Sequence, residues 1–216
     1  MKKPHGLLGS GVSVVRYALQ LAESIGCRIV GADINASGIA TANQLAASRK
    51  LDSLVSFEQC DASQKLRFDG ETFDAVFSND AFCHISGRAG LLSEVRRVLK
   101  PGGRLLFSDA LVIGGPITNE ELATRSSIGY YLFSPAGDNE RLLEQQGFRL
   151  LSATDTTANA ASIAERWHDA RESRKDELVA IEGPDNFAGV QRFLACVHTL
   201  TREQRLLRML YVAQRD

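Results

Sequence analysis

Cysteine is scarce and scattered in this chain. Cys27, Cys60, Cys83 and Cys196 form no CxxC pair and have no histidine at metal-ligand spacing, which argues against a disulfide framework and against a zinc site. Free thiols in a reducing, cytoplasmic setting and no metal centre are therefore expected. A surplus of positive charge is also missing: 25 Lys and Arg against 26 Asp and Glu leave a formal charge of −1. Binding to a phosphate backbone normally needs such a surplus, so no nucleic-acid partner is expected. The basic start Met1-Lys2-Lys3-Pro4-His5 is followed by no apolar run long enough for a signal-peptide core or a membrane span, and export and membrane insertion are disfavoured. Internal repeats, low-complexity tracts and linkers are absent as well. What is present is a 216-residue chain with 44% hydrophobic residues, enough for one large domain with an inserted cap.

Hydrophobic periodicity alternates between helix and strand. From Val12 onward, Val15, Leu19, Ala22 and Ile25 recur at helical spacing until Gly26 stops the run. The short apolar segment 28–32 ends on Asp33 and leads into an Ala-rich helix over 36–49 that Asn35 or Ser37 can cap. Strands at 54–59 and 73–78, a helix at 88–99 and a strand at 104–108 continue the rhythm. Such alternation with short links predicts an α/β fold: a Rossmann-like, doubly wound, mostly parallel sheet.

Beyond Asp109 the pattern changes. Ile113-Gly114-Gly115-Pro116 reads as a loop and 118–131 as a helix; Ser134-Pro135 resembles a helix start, leading to 139–146, which Gly147 closes. A strand at 148–155 precedes a polar helix over 157–182, a break at Gly183-Pro184, and a helix over 187–200. The final segment 206–213 suits an antiparallel last strand, with a helix from Arg202 as the competing reading. A single domain over 1–216 is predicted, with helical cap insertions near 113–133 and 157–200.

Candidate functional residues cluster at the ends of successive strands, where open α/β sheets place their ligand crevice. Gly9-Ser10-Gly11 precedes the first helix, where glycine permits close backbone approach and the helix start offers free N–H groups. Asp33 follows Gly11 by 22 residues, the spacing of a carboxylate that accepts both ribose hydroxyls of a nucleoside. Alternatively, Asp33 caps the helix that begins near Ala36. Asp61, at the end of the third strand, can accept the amino group of adenine or simply serve in a turn. The run Val95-Arg96-Arg97-Val98-Leu99-Lys100-Pro101-Gly102-Gly103-Arg104-Leu105-Leu106-Phe107 is the most specific signal in the chain.

That run resembles the class I S-adenosylmethionine-dependent methyltransferases, whose fifth strand is introduced by a similar R-V-L-K-P-G-G-R-L segment. The resemblance extends over about the first 110 residues, through Gly9-Ser10-Gly11, Asp33-Ile34, Cys60-Asp61-Ala62 and Phe73 to His84. It implies methyl transfer from S-adenosylmethionine to nitrogen or oxygen of a small-molecule acceptor, with S-adenosylhomocysteine as product. By the same resemblance, Gly9, Ser10 and Gly11 hold the methionine end of the cofactor, Asp33 and Ile34 the ribose side, Asp61 and Ala62 the adenine, and Ser78 and Asn79 lie beside the sulfonium.

Asp80-Ala81-Phe82-Cys83-His84 resembles the corresponding stretch of phosphoethanolamine and sarcosine/dimethylglycine N-methyltransferases. Spacing of i, i+4 puts Asp80 and His84 on one helical face, with His84 as general base and Asp80 orienting it; bracing of the cofactor pocket is the plainer alternative. Asp109 is a further candidate for substrate contact. Tyr130, Tyr131, Phe133, Trp167 and Phe187 are the aromatics expected to line a cap over the site, or else to pack in the core.

The chain departs from the family at its start. Leu7 stands where an acidic residue is usual and Ser13 where a further glycine is usual, and only Gly6-Leu7-Leu8 reads as first strand. A shortened or shifted reading frame, a missing N-terminal segment, or a relative that has given up catalysis would each account for this. Loss of most of that strand leaves neighbours unpaired, a defect that strand exchange in a homodimer can repair. Two rival functions follow: a non-catalytic binding or interaction module, and a nicotinamide-dependent oxidoreductase, which shares the GxG and carboxylate pattern.

Overall fold

A computed structural model describes residues 15–216 in full and residues 6–10 as backbone. The chain divides into two compact units, one made of Met1–Asp109, Gly137–Ala153 and Leu210–Asp216, the other of Ala110–Ala136 and Thr154–Met209.

Strands β1 (Gly6–Ser10), β2 (Arg28–Asp33), β3 (Val55–Gln59), β4 (Phe73–Asn79), β5 (Leu99–Ile113), β7 (Phe148–Asp155) and β8 (Leu206–Arg215) line up in the order β3-β2-β1-β4-β5-β8-β7. The pairs β3–β2, β2–β1, β1–β4 and β4–β5 are all parallel. The last strand, β8, is antiparallel: Gln214 donates to the Gly102 carbonyl and Arg215 to that of Leu99, so its end meets the beginning of β5.

The expected defect at the first strand is corrected here. β1 runs through Gly9 and Ser10, and over those five residues it pairs with β2 on one side and, from Leu7 onward, with β4 on the other. Gly9 and Ser10 are strand residues rather than loop residues, because pairing on both sides holds their backbone extended. Gly11 and Ser13 lie outside the described residues.

Helices α1 (Val15–Ile25) and α2 (Ala36–Ser48) form one core with β2 and β3, in which Ala18, Leu19, Ala22, Ile29, Ala42, Ala46, Val55 and Phe57 are buried. Small Ala side chains let α2 approach β3 closely. Its Asn43 amide bonds both the N–H and the carbonyl of Phe57, at 2.9 and 2.8 Å, and so covers part of an edge strand that would otherwise present unpaired groups. Asn35 caps α2 through its side-chain oxygen.

Helix α3 (Arg88–Val98) passes directly into β5. Leu99 pairs with Phe73 and Arg104 with Ala75, so Lys100–Gly103 bulges out between them; the expected strand at 104–108 is thus longer at both ends. The bulge explains the Lys-Pro-Gly-Gly run. Gly102 sits at φ +74°, and a Cβ on Gly103 would lie 2.8 Å from the Lys100 carbonyl oxygen. Lys100 reaches back to both carboxylate oxygens of Asp74 at 3.0 Å, and Arg97 holds the carbonyls of Leu66 and Phe68 while pairing with Glu94.

The second unit is mostly helical. Helices α4 (Asn119–Arg125), α6 (Thr157–Glu172) and α7 (Lys175–Glu182) all pack on α8 (Pro184–Arg202). Three expectations change. The helix predicted over 118–131 ends at Arg125, with Ser126 as its C-cap. The one predicted over 157–182 is two, because the Ser173 hydroxyl bonds back to the Ala170 carbonyl and the chain turns at Ser173-Arg174. Ser134-Pro135 is a short strand, β6, pairing with Val112 and Ile113, and α5 (Asp138–Gln145) of the first unit starts only after Gly137. No helix among the described residues is long and apolar enough to cross a membrane.

Thr118 and Glu121 close a reciprocal capping box on α4, and Glu121 also takes Arg205 through two bonds of 2.7 and 2.8 Å. The Arg205 guanidinium, followed by the Thr118 N–H, pulls the Glu121 carboxyl down from 4.5 to about 2. A depressed folded-state value means stabilisation that is complete above 4.5 and lost as pH falls toward about 2. Thermal unfolding followed across that window is expected to show a shallower acid dependence in Glu121→Gln than in the wild type.

Candidate active site

The parallel register fixes what meets at the carboxyl ends of the strands. Glu58, Ala32, Ser10, Ser78 and Phe107 form one cross-strand row, and Gln59 aligns with Asp33 and Asn79 with Ser108 one step further on. Asp61, Asp80 and Asp109 follow immediately beyond.

Asp33 ends β2 half-buried, its Oδ1 accepting the Asn35 N–H at 2.8 Å and its carbonyl accepting the Cys60 N–H at 2.8 Å. Since Asn35 is the helix cap, Asp33 is released from that role, and its Oδ2 bonds no described residue. Ile34, next to it, is 66% exposed, an apolar side chain left open beside a carboxylate. The Gln59 amide ties the Ile34 carbonyl to β3 at 3.0 Å.

Asp61 serves in a turn, one of the two readings its sequence position offers. Its Oδ1 accepts the Ser63 hydroxyl at 2.7 Å and the Ser63 N–H at 2.9 Å, and these bonds, the hydroxyl first, hold its carboxyl below the usual range. The turn thereby keeps the exposed carboxylate ionised while Oδ2 stays open among the described residues. Ala62 follows half-buried in the same turn.

Ser78 is 1% exposed, and its hydroxyl is buried with no hydrogen-bond partner among the described residues. A buried polar atom without a partner costs free energy unless a ligand or water completes it. Asn79 and Asp80 converge on Ser108, which the sequence reading passed over. The Ser108 hydroxyl accepts the Asp80 N–H at 2.9 Å and lies 2.7 Å from Asp80 Oδ1 and 3.1 Å from Asn79 Oδ1. A hydroxyl at a strand end beside the adjoining carboxylates was the available signal.

The helical-face argument for Asp80 and His84 is corrected. Only Phe82–His84 forms a short 3₁₀ turn, and Asp80 lies before it in the left-handed region at φ +49°, a conformation that Asp tolerates better than most residues. Asp80 and His84 therefore do not share an α-helical face. His84 is exposed at the end of the turn, while Phe82 and Cys83 are buried beneath.

Asp109 is also reassigned. It is fully buried, 3.0 Å from Arg88 Nη1 and 3.1 Å from Asn139 Nδ2, and Arg88 Nη1 donates to Asn139 Oδ1 at 2.6 Å. Tyr211, stacked on Phe107 with centroids 4.9 Å apart, adjoins the group, and burial raises its phenol to about 12. This is an internal charge network that anchors the start of α3 to β5 and α5, rather than a substrate contact. In the second unit, Phe187 is buried core under Arg171, whereas Trp167 and Tyr130 are 64% and 60% exposed. No group of His, Cys, Asp and Glu among the described residues is arranged to hold a metal ion.

Residues 8–107 match a family described as a methyltransferase domain. That match covers just under half of the chain. The chain is similar to methyltransferase GfsG of Streptomyces halstedii, with 31% identity over 71% of this chain and 56% of that one. It is also similar to the phosphoethanolamine N-methyltransferase of Triticum aestivum, with 28% identity over 87% and 36%. The chain thus spans about half or less of the length of these curated relatives. Among solved structures, phosphoethanolamine N-methyltransferase 2 of Haemonchus contortus, in complex with phosphomonomethylethanolamine and S-adenosylhomocysteine, superposes with a TM-score of 0.87 at 23% identity, over 100% of this chain and 50% of that one. At that identity the superposition establishes the fold. The match favours the methyltransferase resemblance over the nicotinamide reading.

The buried network has a direct consequence for stability. Asp109→Ala strands the Arg88 guanidinium without a counter-charge and is expected to cost about 3–5 kcal/mol, whereas the pair Arg88→Met with Asp109→Leu recovers most of that loss. Urea unfolding of the two variants beside the wild type measures both, and Asp109→Ala as stable as wild type would contradict the network.

Proposed function

We propose that this protein transfers a methyl group from S-adenosylmethionine to nitrogen or oxygen of a small-molecule acceptor, releasing S-adenosylhomocysteine. The observation that carries the reading is the alignment of Asp33, Asp61 and Ser78 at neighbouring strand ends, each retaining an oxygen that no described residue satisfies. These groups fit the cofactor. Asp33 holds the ribose hydroxyls, exposed Ile34 offers an apolar surface to a flat base, Asp61 accepts the adenine amino group, and Ser78 and Asn79 border the reacting end. The acceptor class is supported by relatives named as phosphoethanolamine N-methyltransferases.

S-adenosylmethionine supplies an electrophilic methyl on a sulfonium, so the protein's part is alignment and proton handling. Ser108 pins the Asp80 backbone and carboxylate. In this reading His84, an imidazole on a short exposed turn, takes the proton from an amine or hydroxyl acceptor.

Calorimetric titration tests the cofactor site. The wild type is expected to bind S-adenosylhomocysteine, and Asp33→Ala to weaken that binding about ten- to a hundredfold, since hydrogen bonds to a charged group are worth about 1.5–3 kcal/mol. Absence of binding to either form of the cofactor would sink the reading. His84→Ala separates chemistry from binding: kcat is expected to fall about a hundred- to ten-thousandfold, with affinity for S-adenosylhomocysteine retained. Cofactor binding with no turnover on any amine or hydroxyl acceptor would mark a non-catalytic binding module instead.

A further inference from the structure

At the amino ends of β4 and β5, the first unit opens into a cleft of about 650 Å³, the size of a small-molecule site. Its walls are the last turns of α3 and α5, the turn before β4 and the end of β8, all within that unit. None of the lining side chains is apolar. The seven residues of β4 put roughly 20 Å of strand between this cleft and the carboxylates at the other edge of the sheet.

Two of the three arginines in the cleft are matched by carboxylates. Arg97 pairs with both oxygens of Glu94 at 2.9 and 2.8 Å, and Arg215 Nη2 donates to Glu71 Oε1 at 3.0 Å. Arg96 meets no carboxylate among the described residues. Its one bond there runs from Nε to the Gly147 carbonyl at 3.3 Å, which leaves both Nη groups over. The end of its own helix does not use the charge either, because the carbonyls of Arg97 and Val98 accept the N–H groups of Glu71 and Thr72 at 3.0 and 2.9 Å. Arg215 adds a donor, for its Nε is buried with no partner among the described residues, a cost that a bound oxygen would relieve.

The guanidinium of Arg96 is held in place before any ligand arrives. It lies against Gly147, which sits at φ +74°, and a Cβ there would come within 2.9 Å of Arg96 Nε. Groups fixed in advance lose little freedom on binding.

We propose that this cleft is a binding site for a small hydroxylated carboxylate. The carboxylate takes the guanidinium fork of Arg96 with two parallel bonds, and Ser93 and the amides of Gln145 and Gln146 serve the hydroxyls. Its single charge balances the one that Arg96 leaves over, whereas a phosphate dianion would set a surplus negative charge beside Glu71 and Glu94. The site does not rest on the methyl-transfer reading, since it lies at the opposite edge of the sheet and needs no cofactor.

Calorimetric titration of the full chain with gluconate, acetate and inorganic phosphate in turn, at ionic strength held constant with chloride, tests the assignment. Gluconate is expected to bind saturably, and more tightly than acetate, which lacks the hydroxyls, or phosphate. Arg96→Met is expected to weaken gluconate binding about tenfold or more, and Arg96→Lys by less, since an ammonium keeps the charge and loses the fork. No gluconate binding beyond the chloride control, acetate or phosphate binding at least as tightly, or Arg96→Met binding gluconate as the wild type does would each overturn the proposal. S-adenosylhomocysteine titrated in parallel keeps the two readings apart: undiminished affinity in Arg96→Met reports an intact fold. Failure of the wild type to bind it removes the methyl-transfer reading and leaves the cleft standing. Should Arg96→Met fail to fold, Arg96→Lys decides alone, and equal gluconate affinity there and in the wild type counts against the fork.

Discussion

The parallel register of β3, β2, β1, β4 and β5 is the constraint on which the site depends. Parallel strands joined by helices all end at the same edge of the sheet, so residues distant in sequence, such as Asp33 and Asn79, reach that edge at the same level. β1 is the centre of this arrangement, hydrogen-bonded on both sides. Without those five residues, β2 and β4 would have no common reference, and the carboxylates on either side would share no crevice.

Around that frame, the segment that most resembles the methyltransferases serves structure more than chemistry. Lys100, Gly102 and Gly103 shape a bulge between α3 and β5, and Arg97 anchors the loop that precedes β4. The bulge sets where β5 begins against β4, and hence which residue of β5 stands beside Asn79. That residue is Ser108, whose hydroxyl orients Asp80. The motif thus governs the site from the opposite end of the strand.

Much of this was legible in the chain. Alternation of 3.6- and 2-residue periods placed nearly every element of the first unit, because helices and strands covered by one core must carry apolar residues at those periods. Asp33 and Asp61 were found because strand ends follow from the same patterns. The misreadings share a cause. Ser134-Pro135 became a strand because β5 extends far enough to pair with it, and the helix over 157–182 broke where a hydroxyl competed for a backbone carbonyl. Gly9 and Ser10 joined β1 through bonds on both sides. Each depends on a partner far away in sequence, which local propensity does not contain.

By itself the sequence determined the order of elements, the methyltransferase resemblance and the acidic residues at the strand ends, since these follow from periodicity and from local motifs. Tertiary structure alone decided which charges are satisfied. Asp109 was withdrawn from the surface by Arg88 and Asn139, and Asp80 was bound to Ser108 rather than aligned with His84 on a helix. Among the described residues Arg125 has no ion-pair partner, because Arg205, 80 residues on in the sequence, occupies Glu121. A charge is compensated or exposed by what lies within a few ångströms of it in space, and distance along the chain says little about that.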